Sequence, residues 1–174
     1  MAMQGLAYLK TTWAFEERPV ASLKLNTWDD RIEAALELIF FLLNQNWGGG
    51  NGVIQGATTD DLCVKALAVP GLYVQVKPGY GFISKFPYKL AQTMDTAAIT
   101  PPATYNRIDL VEACLDTWGV HVKTGNEMQS PSAPSPSANC IALAHLYLRP
   151  GMTCIKDADD QTNGYIIDAR TWLD

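Results

Sequence analysis

The residue types on which most enzyme and metal sites depend are scarce in this chain. It has two histidines and four cysteines, and no two cysteines form a C-x-x-C pair. Zinc ligands usually come from such closely spaced residues, so we expect no metal and no other cofactor. The sequence also lacks a G-x-S-x-G nucleophile motif, a phosphate-binding loop and a dinucleotide fingerprint. We therefore expect a protein that is not an enzyme and has no catalytic residues.

Basic charge and long apolar runs are scarce as well. The net charge is -5, which leaves no general excess of lysine and arginine to neutralise phosphate groups, so we expect no nucleic-acid partner. The most apolar stretch, residues 36–43, contains Glu37 and is far shorter than the ~20 residues that span a bilayer. The first residues lack the charged and apolar segments of a secretory signal. We expect no membrane insertion.

What is present indicates a globular domain. The 174 residues are 48% hydrophobic and 18% charged, a composition that can bury a sizeable core. The four cysteines lie far apart in the sequence, so we expect free, buried thiols in a protein that is assembled in cytoplasm. These cysteines are Cys63, Cys114, Cys140 and Cys154.

The N-terminal part is predicted to be an arm over residues 1–26, followed by a helix and a glycine-rich linker over residues 27–52. Thr27 can cap a helix from Trp28 to Asn44. Its apolar residues follow the three-and-four spacing of one helix face and then spread until the second half is apolar nearly all round. Such a helix needs cover from other chains, and we interpret it as an oligomer or docking helix. Its apolar residues are Trp28, Ile32, Leu36, Leu38, Ile39, Phe40, Phe41, Leu42 and Leu43.

Residues 53–174 are predicted to be rich in β-strands. Apolar and polar residues alternate over residues 72–77, and residues 116–118 separate two apolar segments as the turn of a hairpin does. Residues 125–139 are rich in proline and serine, so they are predicted to be an exposed crossing segment. The predicted fold class is α+β: a long N-terminal helix followed by a mostly antiparallel β-sandwich or barrel of about six to eight strands.

The histidines and one acidic cluster have a structural and a functional interpretation each. His121 lies between two valines of a predicted strand, which favours a solvent or interface position over a catalytic base. His145 lies within an apolar strand, which favours a hydrogen-bonded core or interface position. Residues 157–161 could gather calcium, but they lack the later glutamate of an EF-hand loop, so a solvated turn is favoured.

Five segments follow one another in a distinctive order. A strand ending in Pro-Gly precedes an aromatic strand (residues 74–83), and an Arg-Ile-Asp strand follows (105–111). The Ser/Pro stretch, an apolar strand (141–151) and an Asp-x-Arg step (166–170) complete the order. This order resembles the attachment domain of baseplate and tail-fibre proteins of tailed bacteriophages. Relatives usually continue the Arg-Ile-Asp strand with an Arg-Asp pair, whereas this chain keeps only an acid, Asp116.

The resemblance implies a structural component of the virion, in the tail or baseplate, that is made in the host cytoplasm. It implies that the chain docks to other phage tail or baseplate proteins and supports host attachment. Because relatives resemble trimeric fibre proteins and the apolar helix needs cover, we expect a homo-oligomer, a trimer.

Four charged residues in the matching segments are predicted to form structural ion pairs. Arg107 and Asp109 lie two apart on a strand and so share one face, from which they could order neighbouring strands or the closing segment with Asp168 and Arg170. We expect an arginine of this group to pair with an acid across strands. The alternative is that all four are ordinary surface charges.

Two other functions stay open from the sequence. The first is a carbohydrate-binding module that contacts a host surface glycan through exposed aromatic rings, with Tyr80, Tyr88 and Trp118 as the contacts; the alternative places these rings in the core or between subunits. The second is a cell-wall hydrolase, which has the least support because no residue pattern points to it.

Overall fold

The structure is a computed structural model that describes residues 22–46, 48–56 and 58–173, with side chains from residue 29 onward. Most of the predicted N-terminal arm lies outside these residues, and so do the side chains of Thr27 and Trp28. The chain divides into two units after Ile39, and each unit is described by itself.

The single helix of the described residues is α1 (Ser22–Asn46). It ends at the glycine-rich run, where Gly48 and Gly49 adopt φ values of +78° and +75°. Glycine reaches this left-handed conformation without a steric penalty, which lets the Gly49 amide turn back and donate to the carbonyl of Asn44 at 2.9 Å. The Asn44 side chain in turn donates to the carbonyl of Gly50 at 2.8 Å. The glycine run therefore ends the helix, as the sequence predicts.

The rest of the described chain forms twelve strands in three sheets. The sheet orders are β12-β1-β4-β5, β10-β11-β9-β7-β8 and β2-β3-β6. Most neighbours are antiparallel, but β1 pairs with β12 and β10 pairs with β11 in parallel. The strands are β1 (Gly52–Ile54), β2 (Val64–Ala66), β3 (Val74–Val76), β4 (Gly79–Ile83), β5 (Phe86–Leu90), β6 (Met94–Asp95), β7 (Arg107–Cys114), β8 (Gly119–Lys123), β9 (Cys140–Leu148), β10 (Ile155–Lys156), β11 (Gly164–Asp168) and β12 (Trp172–Leu173).

Strand β7 lies between β9 and β8 in the five-stranded sheet and has two different faces. Val111 and Ala113 point into the hydrophobic core, and Glu112 and Cys114 point to the opposite face. Pairing with β9 is interrupted by a bulge between Val111 and Glu112. Strand β8 pairs with β7 as the predicted hairpin, and His121 faces away from the core, opposite its two neighbouring valines.

Strands β4 and β5 form a hairpin, whereas the aromatic and β-branched residues between 80 and 90 predict a single strand that Pro87 limits to an edge or a break. Ser84 and Lys85 make the turn with φ values of +51° and +72°. The side chain of Asn51 accepts the Ser84 amide at 2.8 Å and so supports this turn. Pro87 lies in the edge strand, as its missing N–H requires.

The predicted fold class is wrong, because the described chain is mainly β and builds three sheets instead of one sandwich or barrel behind a long N-terminal helix. An α+β domain needs a helix layer that packs into the core. Among the described residues, the core cluster consists of strand and loop side chains, and no helix side chain belongs to it. Its largest fully buried members are Tyr88, Leu62, Ile83, Leu143, Leu146, Leu148 and Ile155.

The Ser/Pro segment, residues 125–139, has no regular secondary structure and runs beside β7. At its start, a Cβ on Gly125 would lie 2.0 Å from the carbonyl oxygen of Ile108, so the two backbones touch. At its end, the amide and hydroxyl of Ser137 both donate to Glu112 at 2.8 Å. Leu110, which lies between these contacts on the same face of β7, is fully buried.

Candidate functional site

Arg107 and Asp109 form a buried ion pair at the start of β7. The Arg107 Nε donates to Asp109 Oδ1 at 2.7 Å and its Nη2 donates to Oδ2 at 2.9 Å, so the pair is bidentate. Nη2 also donates to the carbonyl of Thr100 at 2.7 Å, and the amide of Gly125 donates to Asp109 at 2.9 Å. Both side chains are at least 90% buried. The pair thus fastens two chain segments to the strand between them.

Asp168 and Arg170 form a second pair of the same kind near the C-terminal end. Arg170 donates to the Asp168 carboxylate through Nε at 2.9 Å and Nη2 at 2.6 Å. Its Nη1 donates to the carbonyls of Thr59 and Asp61 at 2.9 and 2.7 Å. The hydrogen bond from Arg170 holds the pKa of Asp168 below its usual value, and the same bond raises the pKa of Arg170.

The structure therefore brings each of the four predicted charged residues into an ion pair. Each pair joins residues two apart in one segment, Arg107 with Asp109 and Arg170 with Asp168, and not residues on separate strands. The link between distant segments is made by the backbone carbonyls that the guanidinium groups reach. Side chains two residues apart on an extended chain point to the same face, which is the reason that these local pairs form.

A cavity of about 200 Å³ lies beside the second pair. It is lined by Cys63, Lys65, Asp157, Asp168 and Arg170, among others. Two of its polar groups already have structural partners: Arg170 is bound as above, and Asp157 accepts the amide of Ala66 at 2.8 Å. Burial raises the pKa of the Cys63 thiol, which opposes the thiolate form that a nucleophile needs.

The three aromatic residues predicted as glycan contacts do not share one surface. Tyr88 is 1% exposed and donates its hydroxyl to the carbonyl of Gly119 at 3.2 Å. Trp118 stacks on Tyr88 with ring centroids 6.1 Å apart and is 60% exposed. Tyr80 is exposed on the opposite face of its sheet, beside Lys89, whose Nζ lies 5.6 Å from the ring centroid. Of these three residues, only Trp118 has an exposed ring that stacks on a buried ring, that of Tyr88.

The described apolar side chains of α1 are largely uncovered. In the first unit, Ile32, Leu36, Leu38 and Ile39 are 42%, 43%, 39% and 50% exposed. In the second unit, Phe41, Leu42 and Leu43 are 41%, 58% and 43% exposed. Phe40 is half-buried and meets the ring of Phe86 edge to face at 6.5 Å, and Lys85 lies 5.8 Å from the ring centroid of Phe41. Isolated exposed apolar residues are ordinary, but α1 carries four in the first unit and three in the second, so each unit has an apolar helix surface of its own.

The acidic cluster at residues 157–160 is a hydrogen-bonded turn. Asp160 accepts from the amides of Thr162 and Asn163 at 2.9 and 2.7 Å and pairs with Lys156 at 2.7 Å. The bond from the Asn163 side chain, with that from Lys156, lowers the pKa of Asp160 strongly. Asp159 pairs with Arg149 at 2.9 Å. These carboxylates are occupied by internal donors.

The expectation of four free thiols is wrong for two of the cysteines. Cys114 and Cys140 form a disulfide, whereas Cys63 is free and buried and Cys154 is free and half-buried. The pairing of β7 with β9 places Cys114 directly opposite Cys140, although 26 residues separate them in sequence. The sequence carries one hint of this bond: Cys114 lies next to the end of one predicted strand segment, residues 106–115, and Cys140 begins another, residues 140–148.

Comparisons with protein-family models, with curated proteins and with solved structures find no match for this chain. The resemblance to phage attachment domains therefore stays a prediction. No helix among the described residues combines the length and the apolar character needed to cross a membrane.

Proposed function

We propose that this protein is a non-enzymatic structural component of a phage tail or baseplate, which docks to other tail proteins and supports host attachment. On this proposal it is made in the host cytoplasm and then built into the virion. The order of segments that resembles the attachment domain supports the proposal, and the exposed apolar surface of α1 carries it.

The surface of α1 supports an assembly role by a simple energetic argument. Burying a large aliphatic side chain contributes about 1.5–3 kcal/mol. Leu42 and Ile39, which are 58% and 50% exposed, leave much of this contribution unused in one chain. Sister copies, in a trimer, or neighbouring tail proteins would cover such a helix and gain that energy.

The ion pairs of the β part of the chain support a structural role. Its bidentate pair of Arg107 and Asp109 is buried, and the pair of Arg170 and Asp168 ties the last strands to the carbonyls of Thr59 and Asp61. Each pair fastens segments that are remote in sequence. Such charge-assisted bonds oppose the separation of these segments.

The direct test is reconstitution with defined proteins. The chain is co-expressed with each tail and baseplate protein encoded beside its gene, and stable complexes are isolated and weighed by native mass spectrometry. We expect a complex that the Leu38→Gln/Leu42→Gln variant fails to form. Val69→Gln is the matched control, because Val69 is 82% exposed and does not belong to the helix. Neighbouring genes that encode no tail protein would contradict the proposal.

Glycan binding is the second candidate, and one observation favours it. The exposed ring of Trp118 stacks nearly parallel on the ring of Tyr88, with an interplanar angle of 9°. An exposed aromatic ring supported in this way offers a flat surface on which a sugar ring can stack. Trp118→Ala should abolish binding on an array of bacterial surface glycans. Tyr80→Ala should leave it unchanged, because Tyr80 lies on the other face of its sheet. Absence of binding by the unaltered protein would rule the candidate out.

A further inference from the structure

The disulfide lies within a cluster of metal-ligating side chains on the face of the five-stranded sheet that points away from the core. Glu112 and Cys114 share this face of β7, and Cys140 lies opposite on β9. One ligand atom from each of the three lies within 4.8 Å of the others. That spacing is close to the separation of ligands around one small cation, so little movement would bring all three to a common ion.

His121 extends the cluster onto a third strand. It pairs with Glu112 across β7 and β8, which places its imidazole on the same face. Its Nε2 lies 2.5 Å from the hydroxyl oxygen of Thr117 and 3.8 Å from where a Cβ of Gly119 would stand. Gly119 pairs directly with Cys114. The His121 ring nitrogens are not within the 4.8 Å group of the other three ligand atoms, so the ring must turn to reach a common ion, and Gly119 has no side chain to oppose that turn.

We propose that Cys114, Cys140, Glu112 and His121 bind a zinc ion when the disulfide is reduced. A low-molecular-weight thiol supplies the two electrons and is itself oxidised to a disulfide, while the Cys114–Cys140 bond becomes two thiols. Zinc then displaces one proton from each thiol and binds the two thiolates, the carboxylate and a neutral imidazole nitrogen. The expectation of no metal rests on sequence spacing, which does not reveal ligands gathered from three strands.

The ligand set suits zinc better than other common cations. Two thiolates, one imidazole and one carboxylate match its preference for sulfur and nitrogen in a tetrahedral site, whereas magnesium and calcium prefer oxygen alone. Glu112 is 4% exposed, and Ser137 holds it through both its amide and its hydroxyl. Such a second layer of hydrogen bonds orients a ligand before the ion arrives.

The proposed ion and the disulfide exclude each other, because both use the same two sulfur atoms. In an oxidising medium the bond links β7 and β9. In a reducing medium, where disulfides are rare, the ion would link these strands and also β8 through His121. This inference does not depend on the proposed function, since it concerns any reducing compartment in which the chain is found.

The test uses the full chain with Cys63→Ser and Cys154→Ser, so that the free cysteines cannot bind metal. The protein is reduced with a phosphine under argon and titrated with Co²⁺, whose thiolate complexes absorb in the near ultraviolet. We expect one equivalent of Co²⁺ to bind with thiolate charge-transfer and tetrahedral absorption bands, and Zn²⁺ to displace it. The oxidised protein should show neither band.

Variants distinguish a site of four ligands from non-specific metal binding by the two thiolates alone. Removing a residue that only hydrogen-bonds to a metal ligand typically weakens metal binding about 10–100-fold. His121 and Glu112 are proposed to bind the ion directly, so His121→Ala and Glu112→Gln should each weaken Zn²⁺ binding by at least that much. His145→Ala is the matched control, because His145 lies on the same sheet face but pairs with Leu110. Far-ultraviolet circular dichroism checks that each reduced variant keeps its strands. A reduced chain that shows no thiolate band, or that binds equally well without His121 and Glu112, would overturn the proposal.

Discussion

Arg107 and Asp109 place opposite charges in the interior, which makes each depend on the other. Replacing Arg107 by Met should lower the free energy of unfolding by about 3–5 kcal/mol, because Asp109 would stay buried without its cation. Asp109 is 1% exposed, so water cannot substitute for the guanidinium. Equilibrium unfolding in guanidinium chloride measures the loss.

Two comparisons sharpen this prediction. Lys156→Met removes an exposed ion pair with Asp160 and should have a much smaller effect, since water screens that pair. The double variant Arg107→Met/Asp109→Leu should lose less than the two single variants added together, because it leaves no unpaired charge. Additive losses would show that the two side chains do not act as a pair.

Asp168 should make stability depend on pH. The bond from Arg170 lowers its pKa in the folded protein below the ordinary value of 3.8. Its stabilising contribution is therefore complete above that ordinary value and is lost as the pH falls through the lower, folded value. Below about pH 4, the urea midpoint should fall more steeply in the unaltered protein than in Asp168→Asn. Parallel curves for the two proteins would contradict this.

The environments of individual residues could be predicted from the sequence only in part. The sequence identifies Arg107 and Asp109 as neighbours on one strand face, because strand alternation depends only on local order. It does not reveal that Thr100 and Gly125 complete their bonds, since those contacts depend on how loops return to the strand. Tyr88 looked exposed for the same reason: its burial depends on where the Trp118 hairpin folds over it.

Among the structural elements, the joint between β7 and β9 offers a second test. The disulfide closes a loop between residues 26 apart, for which chain entropy gives about 3.5 kcal/mol of stabilisation. The Cys114→Ser/Cys140→Ser variant should lose about that amount relative to the oxidised protein. Unfolding is measured with a chelator present, so that no metal contributes. Cys63→Ser/Cys154→Ser, with the disulfide intact, serves as the control, and an equal loss in both variants would contradict the prediction.

The start of the Ser/Pro segment should tolerate no added side chain. Gly125→Ala would place a Cβ 2.0 Å from the carbonyl oxygen of Ile108, so the segment must shift and strain its bond to Asp109. We expect a loss of about 1–3 kcal/mol or more from this overpacking. Gly119→Ala is the matched control, because its nearest contact is 3.6 Å away. Equal thermal stability of the two variants would show that the segment can move aside.

The elements differ in how far the sequence reveals them. The β7–β8 hairpin is found correctly, since its two strands adjoin a short turn ending at Trp118. The β4–β5 hairpin is missed, because Ser84 and Lys85 adopt positive φ values that few non-glycine residues favour. The disulfide is missed because it depends on the register of β7 and β9 across a long crossing segment.

The arrangement of the strands in the whole molecule is the hardest feature to predict from the sequence. Strand β1 pairs with β12, and only three and two residues define these strands. Such short strands leave almost no periodic pattern to detect. The predicted α+β class is wrong on a related point: the apolar pattern of the helix suggested a helix layer beside the β part, yet the core cluster of the described residues consists of strand and loop side chains. Apolar character alone does not say which partner a helix covers.

The exposed apolar side chains of α1 lead to a prediction about the oligomeric state of the protein. If sister copies cover α1, the unaltered protein should sediment at three chain masses at micromolar concentration. Ile39→Gln/Leu42→Gln should sediment as one chain, because it places polar amides at the two most exposed large apolar side chains described in the helix. Glutamine keeps a high helix propensity, so helix content should persist in circular dichroism. Val69→Gln, an exposed apolar residue outside the helix, should remain trimeric. A monomeric unaltered protein would instead mean that α1 is covered by another tail protein or by nothing, and the reconstitution experiment separates those two outcomes.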